Sequence, residues 1–453
     1  MKKILYFLQR KSKGIAMMEA LISIGLVTLL VMGIYSVLSG VVRNIGDSKQ
    51  RIGALALGNE KMETFRNLPY AQIGTVGGIV PGPVAAEETT IRNGFNYTVL
   101  CQVRYVDDVL DGFFPDDVID TDYKRVSVEI QWSNGGTSKK ITFYDNFVPD
   151  GMETNVGGGT LSINAVNYSG QAVAGVSVNI ASVDDDPVIN FNATTDEYGN
   201  LILPGVPSQN YRITLAKESY EDITTYPNPP GSAFIPLDPD IFVEAGVLNT
   251  KTFYINLAGT LTFATVKMED DSPIPGLSLA VRGGRIVGAS PETFSFNETL
   301  SLGSEGRATI TSASPGGYSV DNTDSLEEVE GYQYVITDQE YPVGLAAGEE
   351  KTVSLLFANE NTNSLVVVLR DQVSEDRLEG AEVTLTADGF VEQKILTGKE
   401  GVVYFPLATD PVTVLAEGPY QIHITKEGYA DYSKDITISH LLKEEINLTP
   451  IVP

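Results

Sequence analysis

The chain has 453 residues, with 59 acidic against 31 basic side chains and a formal net charge of −28. That excess argues against non-specific binding to nucleic acid and suits a solvated, exported surface. The length calls for about three to four domains, and the single cysteine, Cys101, excludes an intramolecular disulfide. Each domain must therefore be held by its own core.

Between Ile15 and Val42 the only charged residue is Glu19. A bilayer is crossed by ~20 apolar residues, so this run is long enough to span one. Lys2, Lys3, Arg10, Lys11 and Lys13 precede it and place the N-terminus on the cytoplasmic side. A carboxylate inside a membrane helix is costly and marks function, so Glu19 calls for a cationic partner. A secretory peptide would have a shorter apolar core and a small-residue cleavage site behind it. An ordinary anchor gives no reason for Glu19. No proline occurs from Ile15 to Leu68, and one helix of up to 54 residues is expected over 15–68, spanning the membrane over 15–42. Its length would be about 80 Å. Past Arg43, the stripe of Ile45, Ile52, Leu55, Met62 and Phe65 is expected to pack on a small head. Pro69 stops the helix. Gly33, Gly40, Gly46 and Gly53 would permit close packing of helices.

The run Gly14-Ile15-Ala16-Met17-Met18-Glu19 behind a basic leader resembles the N-terminus of a type IV prepilin. The resemblance implies that a prepilin peptidase removes residues 1–14, cutting between Gly14 and Ile15, and that Ile15 is then N-methylated. It also implies that Glu19, the fifth mature residue, pairs with the terminal ammonium of a neighbouring subunit. Methylation keeps that positive charge, and a buried carboxylate needs a cation. Ile15 departs from the family's commoner phenylalanine. Residues Ala54–Glu63 and Asp122–Trp132 resemble the helix end and head of minor pilins and of type II secretion minor pseudopilins. The likeness covers residues 1 to about 150.

Residues 70–94 read as a Gly/Pro/Ala-rich connection. Phe95, Tyr97, Val99, Cys101, Val103 and Tyr105 then alternate with mainly polar residues, as do Val126, Val128, Ile130 and Trp132. Asn134-Gly135-Gly136 turns into a third run near Ile141–Val148, a hairpin. Together they make a β head over 69–150. Cys101 sits in the apolar row, as a buried thiol rather than a nucleophile. Between the first two strands lies an acidic loop with Asp107, Asp108, Asp111, Asp116, Asp117, Asp120 and Asp122. Clustered carboxylates can hold calcium, with Asp107, Asp108 and Asp111 as candidates. The spacing does not match an EF-hand, and a solvated loop is the plainer reading.

After a Gly-rich linker at 151–159 the chain repeats itself. Openings at Thr160, Thr260 and Ser364 are each followed by a glycine (Gly175, Gly276, Gly380), an acidic–glycine turn (Gly199, Gly306, Gly401) and a tyrosine-led strand (Tyr211, Tyr318, Tyr420). A period of roughly 100 residues belongs to domains rather than solenoid repeats. Short strands with frequent turns read as β-sandwiches, at 160–257, 258–358 and, past a linker at 359–363, 364–449. These units resemble carboxypeptidase-regulatory-like domains and collagen-adhesin B-type repeats, most closely over Ile424–Ile438. The resemblance carries no peptidase activity, since such modules lack the zinc site. Adhesin modules of this type sometimes form a Lys–Asn isopeptide bond beside a catalytic acid. Lys267 and Asn359 resemble its two positions, with Glu298 the nearest upstream acid.

There are two histidines, His423 and His440, and no spacing for a zinc site, a phosphate loop or a nucleophile elbow. No cofactor and no enzymatic activity are expected. The chain reads as an α+β multidomain protein: a long N-terminal transmembrane pilin helix, a small antiparallel-sheet head, and three β-sandwich modules of immunoglobulin-like or prealbumin-like type. The resemblance implies a minor pilin-like subunit of a type IV pilus-like filament. It would begin as a single-pass precursor in the cytoplasmic (inner) membrane, with prepilin peptidase and other pilin-like subunits as partners. At the cell surface its arm would meet an extracellular ligand, with the loops near Asp388 and Asp410 as the expected binding face. The alternatives are a minor pseudopilin of a type II secretion or DNA-uptake machine and a membrane-anchored surface enzyme.

Overall fold

A computed structural model describes residues 12–107, 121–134, 137–149, 157–184, 187–321, 326, 331–389, 392–406 and 415–451. Its first element, α1 (Ser12–Arg66), is one helix of 55 residues. It starts ahead of Ile15 because a glycine such as Gly14 weakens a helix by only about 1 kcal/mol and does not stop it. From Met18 to Val42 none of its side chains is buried. The part beginning at Met18 is long and apolar enough to cross a membrane.

The second half of α1 lies on a sheet. Strands β1 (Glu87–Arg92), β2 (Phe95–Val106), β3 (Tyr123–Asn134) and β4 (Thr137–Phe147) pair antiparallel in sequence order. Their alternation turns Tyr97, Val99, Cys101, Val103, Val126, Val128 and Ile130 towards the helix, which adds Ala54, Leu57, Met62 and Phe65 to the same core. The helix face differs from the expected stripe: Met62 and Phe65 are buried, but Ile45, Ile52 and Leu55 remain exposed. Two large rings decide this. Tyr97 lies against Gly53 and Phe143 against Gly58, where any added Cβ would collide. Absent side chains therefore fix which face docks, and hydropathy does not register them. Tyr97 Oη also donates to Gln50 O at 2.9 Å. The rim carries ion pairs Lys61–Glu88, Arg92–Glu60, Arg66–Asp145 and Lys139–Asp47.

The connection after the helix is structured. Lys124, 2% exposed, donates to Tyr70 O and Ile73 O, both at 2.8 Å, and burial lowers its pKa to about 8. Further on, Val80 packs in the head while Ile79 belongs to the core of the next unit.

Three β-sandwiches follow, of one topology. The first module contains β5 (Gly159–Val166), β6 (Ser177–Ser182), β7 (Asn190–Thr194), β8 (Asn200–Val206), β9 (Asn210–Ala216), β10 (Ile223–Thr224), β11 (Ile241–Phe242) and β12 (Leu248–Tyr254). One sheet runs β12-β5-β8 and the other β10-β9-β6-β7, with β11 also on β9. The second module contains β13 (Gly259–Lys267), β14 (Ser278–Ala289), β15 (Glu292–Ser301), β16 (Arg307–Ala313), β17 (Gly316–Val320), β18 (Tyr332–Thr337), β19 (Val343–Leu345) and β20 (Glu350–Asn359). Its sheets run β16-β13-β20-β18 and β15-β14-β17-β19. The third contains β21 (Ser364–Asp371), β22 (Glu382–Thr386), β23 (Gln393–Leu396), β24 (Val402–Phe405), β25 (Gly418–Thr425), β26 (Tyr432–Ile438) and β27 (Leu441–Leu448), in sheets β24-β21-β27 and β23-β22-β25-β26. In every module the first and last strands pair parallel: β5 with β12, β13 with β20, β21 with β27.

The repeated sequence signals have repeated physical causes. Gly175, Gly276 and Gly380 sit at φ of 68°, 77° and 71°, a conformation glycine adopts without steric cost. The tyrosines close corners: Tyr211 Oη donates to Pro207 O at 2.9 Å, Tyr318 Oη to Ser314 O at 2.8 Å and Tyr420 Oη to Ala416 O at 3.1 Å. Such a bond ties a strand to the chain just upstream of it. Burial pushes both Tyr211 and Tyr318 up to about 12. An unfolded tyrosine ionises near pH ~10, so these phenols contribute their full stability below that pH and lose it as pH rises through about 12. Alkaline titration followed by absorbance and circular dichroism should show delayed tyrosine ionisation coupled to loss of sheet. Ionisation of all tyrosines near pH ~10 with the sheets intact would contradict this.

Candidate functional site

The residues that the prepilin resemblance singles out lie together on one helix. Gly14 and Ile15 fall in the first turns of α1. Glu19 is exposed in a stretch whose neighbours Met18, Leu21, Ile22 and Leu26 are also exposed. No described residue partners it. A carboxylate so placed is tolerable in water and expensive in lipid.

The other candidates are scattered. Asp107 is half-buried at the end of β2, while Asp108 and Asp111 lie outside the described residues. Among the described residues no three of His, Cys, Asp or Glu come together as a metal site. Cys101 is buried in the head core, and burial pushes its thiol up to about 11, away from the reactive thiolate. Lys267 and Asn359 end two adjacent parallel strands, with Lys267 opposite Phe357. Lys267 Nζ stands 4.6 Å from the centroid of the Tyr332 ring, and Tyr332 pairs across the strand with Asn359. Asn359 Oδ1 accepts from Asn361 N at 2.9 Å. Glu298 is exposed on β15, the edge strand of the opposite sheet, facing Val281 in register. Glu298, the nearest upstream acid in the sequence, thus lies on the sheet opposite Lys267 and Asn359.

In the last module Asp388 lines an open cleft of about 920 Å³ with Glu417, Gln421 and Asp435. Gln421 Nε2 donates to Asp435 Oδ1 at 2.9 Å. Asp410 lies outside the described residues. His423 Nδ1 is 2.8 Å from Ser433 Oγ on the neighbouring strand, and the backbone N–H of His440 donates to Asn363 Oδ1. Both histidines act as local braces.

Sequence reasoning missed the joints between units. Asn190 N donates to Gly77 O at 2.8 Å and Gln102 Nε2 to Asn192 O at 2.6 Å, fastening the head to the first module. Between the first and second modules, Glu221 is 1% exposed and accepts from Asn256 N and Nδ2 and from Arg285 Nη2 at 2.8 Å. Beside it, residues 235–237 pair with the end of β14 through Ile235 N to Ser290 O and Leu237 N to Val287 O. Phe234 covers Gly288 there. Between the second and third modules, Val335, Ile336 and Ala358 share a core with Val366, Val368 and Val402. Arg377 donates across to Thr337 O at 2.6 Å. None of these partners is near the other in sequence, and no spacing signals them.

Residues 408–450 match the PEGA domain family. No curated protein matches the chain. Among solved structures, the Bacillus anthracis TIE protein is 14% identical over 81% of this chain and 74% of its own, with a TM-score of 0.20. A streptococcal ancillary pilin is 12% identical over 65% of this chain and 99% of its own, TM-score 0.20. BcpA, the major pilin subunit of Bacillus cereus, is 13% identical over 65% and 99%, TM-score 0.17. Overlaps at such scores do not superpose whole chains, and the functional reading rests on this chain's own residues.

Proposed function

We propose that this chain is a minor, membrane-anchored pilin-like subunit that carries a three-module β arm at the cell surface. The observation that carries the reading is Glu19, a lone carboxylate in the exposed apolar half of a helix whose far half docks on a small antiparallel sheet. In a filament, helices of neighbouring subunits would cover that exposed surface, and the methylated amine at Ile15 would supply the missing cation. Prepilin peptidase would cut between Gly14 and Ile15. The arm, joined to the head by hydrogen bonds and buried side chains, would hold the Asp388 cleft away from the membrane for an extracellular ligand. A large acidic arm on every subunit would crowd a shaft, which favours a sparse or tip position. The rival pseudopilin reading shares helix and head, and gives no role to three further modules.

Processing provides the test. Intact-mass analysis of membrane-extracted protein should find a chain that begins at Ile15 with one added methyl group. A chain that keeps residues 1–14, or one cut well inside the apolar run, would sink the proposal.

A further inference from the structure

We propose that the membrane-proximal end of the head binds the phosphate of an anionic lipid headgroup. The proposal rests on α1 spanning the membrane, as proposed above. Just past Val42, the helix residues Asn44, Asp47, Ser48 and Arg51 meet Trp132, Lys139 and Lys140 of the β3–β4 hairpin around an open cleft of about 560 Å³. Lys139 is held by Asp47 at 2.9 Å and Lys140 by Glu129 at 3.0 Å. Arg51 is exposed and has no partner among the described residues. Trp132 is 7% exposed, and its indole N–H finds no acceptor among the described residues. A buried donor left unpaired in a folded protein points to an acceptor that the protein does not itself provide.

The unmet needs are of one kind. A guanidinium and an N–H donor stand unpaired beside a cleft that Lys139 and Lys140, each already on a carboxylate, also line, and the group that satisfies the two donors is an oxyanion with several acceptor oxygens. Depth identifies its source. At 1.5 Å per residue, Asn44 to Arg51 lie about 3 to 14 Å beyond Val42. The headgroup layer is about 5–8 Å thick on each side of the hydrocarbon core. Helical side chains lean towards the helix N-terminus, which brings Arg51 back towards that layer. Arg43, next to Asn44 in the sequence, adds a further basic side chain at this level of the helix, in a chain of net charge −28. Clusters of basic residues beside a membrane helix attract anionic lipid.

Trp132 is the chain's single tryptophan and therefore reports on the site directly. The full chain is reconstituted into vesicles of phosphatidylcholine, or of phosphatidylcholine with phosphatidylglycerol, each carrying a nitroxide-labelled headgroup quencher. Trp132 quenching should be about twofold stronger with phosphatidylglycerol. The double variant Arg51→Gln, Lys140→Gln, both exposed positions, should return it to the phosphatidylcholine value. Equal quenching in both vesicles would overturn the proposal, as would an increment that persists in the double variant. A Trp132 response to inorganic phosphate alone in detergent, with no response to phosphatidylglycerol, would overturn the lipid assignment. Failure to float with either vesicle would overturn the spanning helix itself. Flotation without a phosphatidylglycerol effect would leave the anchor standing and remove only this site.

Discussion

Glu19→Gln should leave the chain in the membrane and take it out of filaments. Insertion survives because a neutral amide is cheaper in lipid than a carboxylate. On the proposed pairing, assembly fails because the amide cannot neutralise the terminal ammonium of the neighbouring subunit. Removing one member of a buried ion pair costs about 3–5 kcal/mol, and each ~1.4 kcal/mol is a factor of ten. Recovery of the variant in sheared filaments should fall by about a hundredfold or more, with the membrane level unchanged. The surroundings leave no substitute: from Met18 to Val42 the helix carries no charged side chain apart from Glu19. Wild-type recovery in the filament fraction would end the pairing argument, whatever the membrane level.

The second large effect is expected at the joint between the first two modules. Arg285→Ala leaves Glu221 buried with only the neutral donors of Asn256. Burial by itself would lower the Arg285 pKa, yet the hydrogen bond and charge of Glu221 hold it raised, so the guanidinium and carboxylate stabilise one another. An uncompensated buried carboxylate costs about 3–5 kcal/mol. Glu221→Gln should cost less, because it keeps acceptor capacity towards Asn256 and leaves behind only Arg285, which retains some access to water. Hydrogen exchange on the full chain should quicken in β9, β10 and β14 for Arg285→Ala, with β21–β27 unaffected. If both modules exchange and melt as in the wild type, the pair is not what holds the joint.

These two sites differ in how far the sequence reveals them. Glu19 is legible because it interrupts an apolar run, and a single charge against that background is conspicuous. The strand rows of the head are equally legible, since Tyr97 to Tyr105 and Val126 to Trp132 alternate with the pleat. The tyrosines at 211, 318 and 420 recur because each closes the same corner. The docking face of the helix is legible only at Met62 and Phe65, because the rest of the contact is set by Gly53, Ala54 and Gly58, whose smallness admits Tyr97 and Phe143 and adds nothing to a hydrophobic pattern. Glu221 and Arg285 look like surface charges in the sequence; only the approach of one module to the next buries them. Arg51 and Trp132 likewise come from a helix and a hairpin some 80 residues apart, and neither has a local signal. Periodicity reports an element's own faces, and it carries no record of what another domain brings to them.

The parallel pairing of first and last strands has a mechanical consequence. In the first two modules the chain enters along one of these strands and leaves along the other, so the two attachment points lie at opposite ends of the pair. A pull between the anchor and the outermost module therefore acts lengthwise on neighbouring strands. It loads the seven register pairs of β5 with β12, or the eight of β13 with β20, in shear and all together. Antiparallel neighbours tugged from one end would open pair by pair, like a zip. An arm built this way resists traction, and under tension its lifetime is set by a barrier of many bonds rather than one.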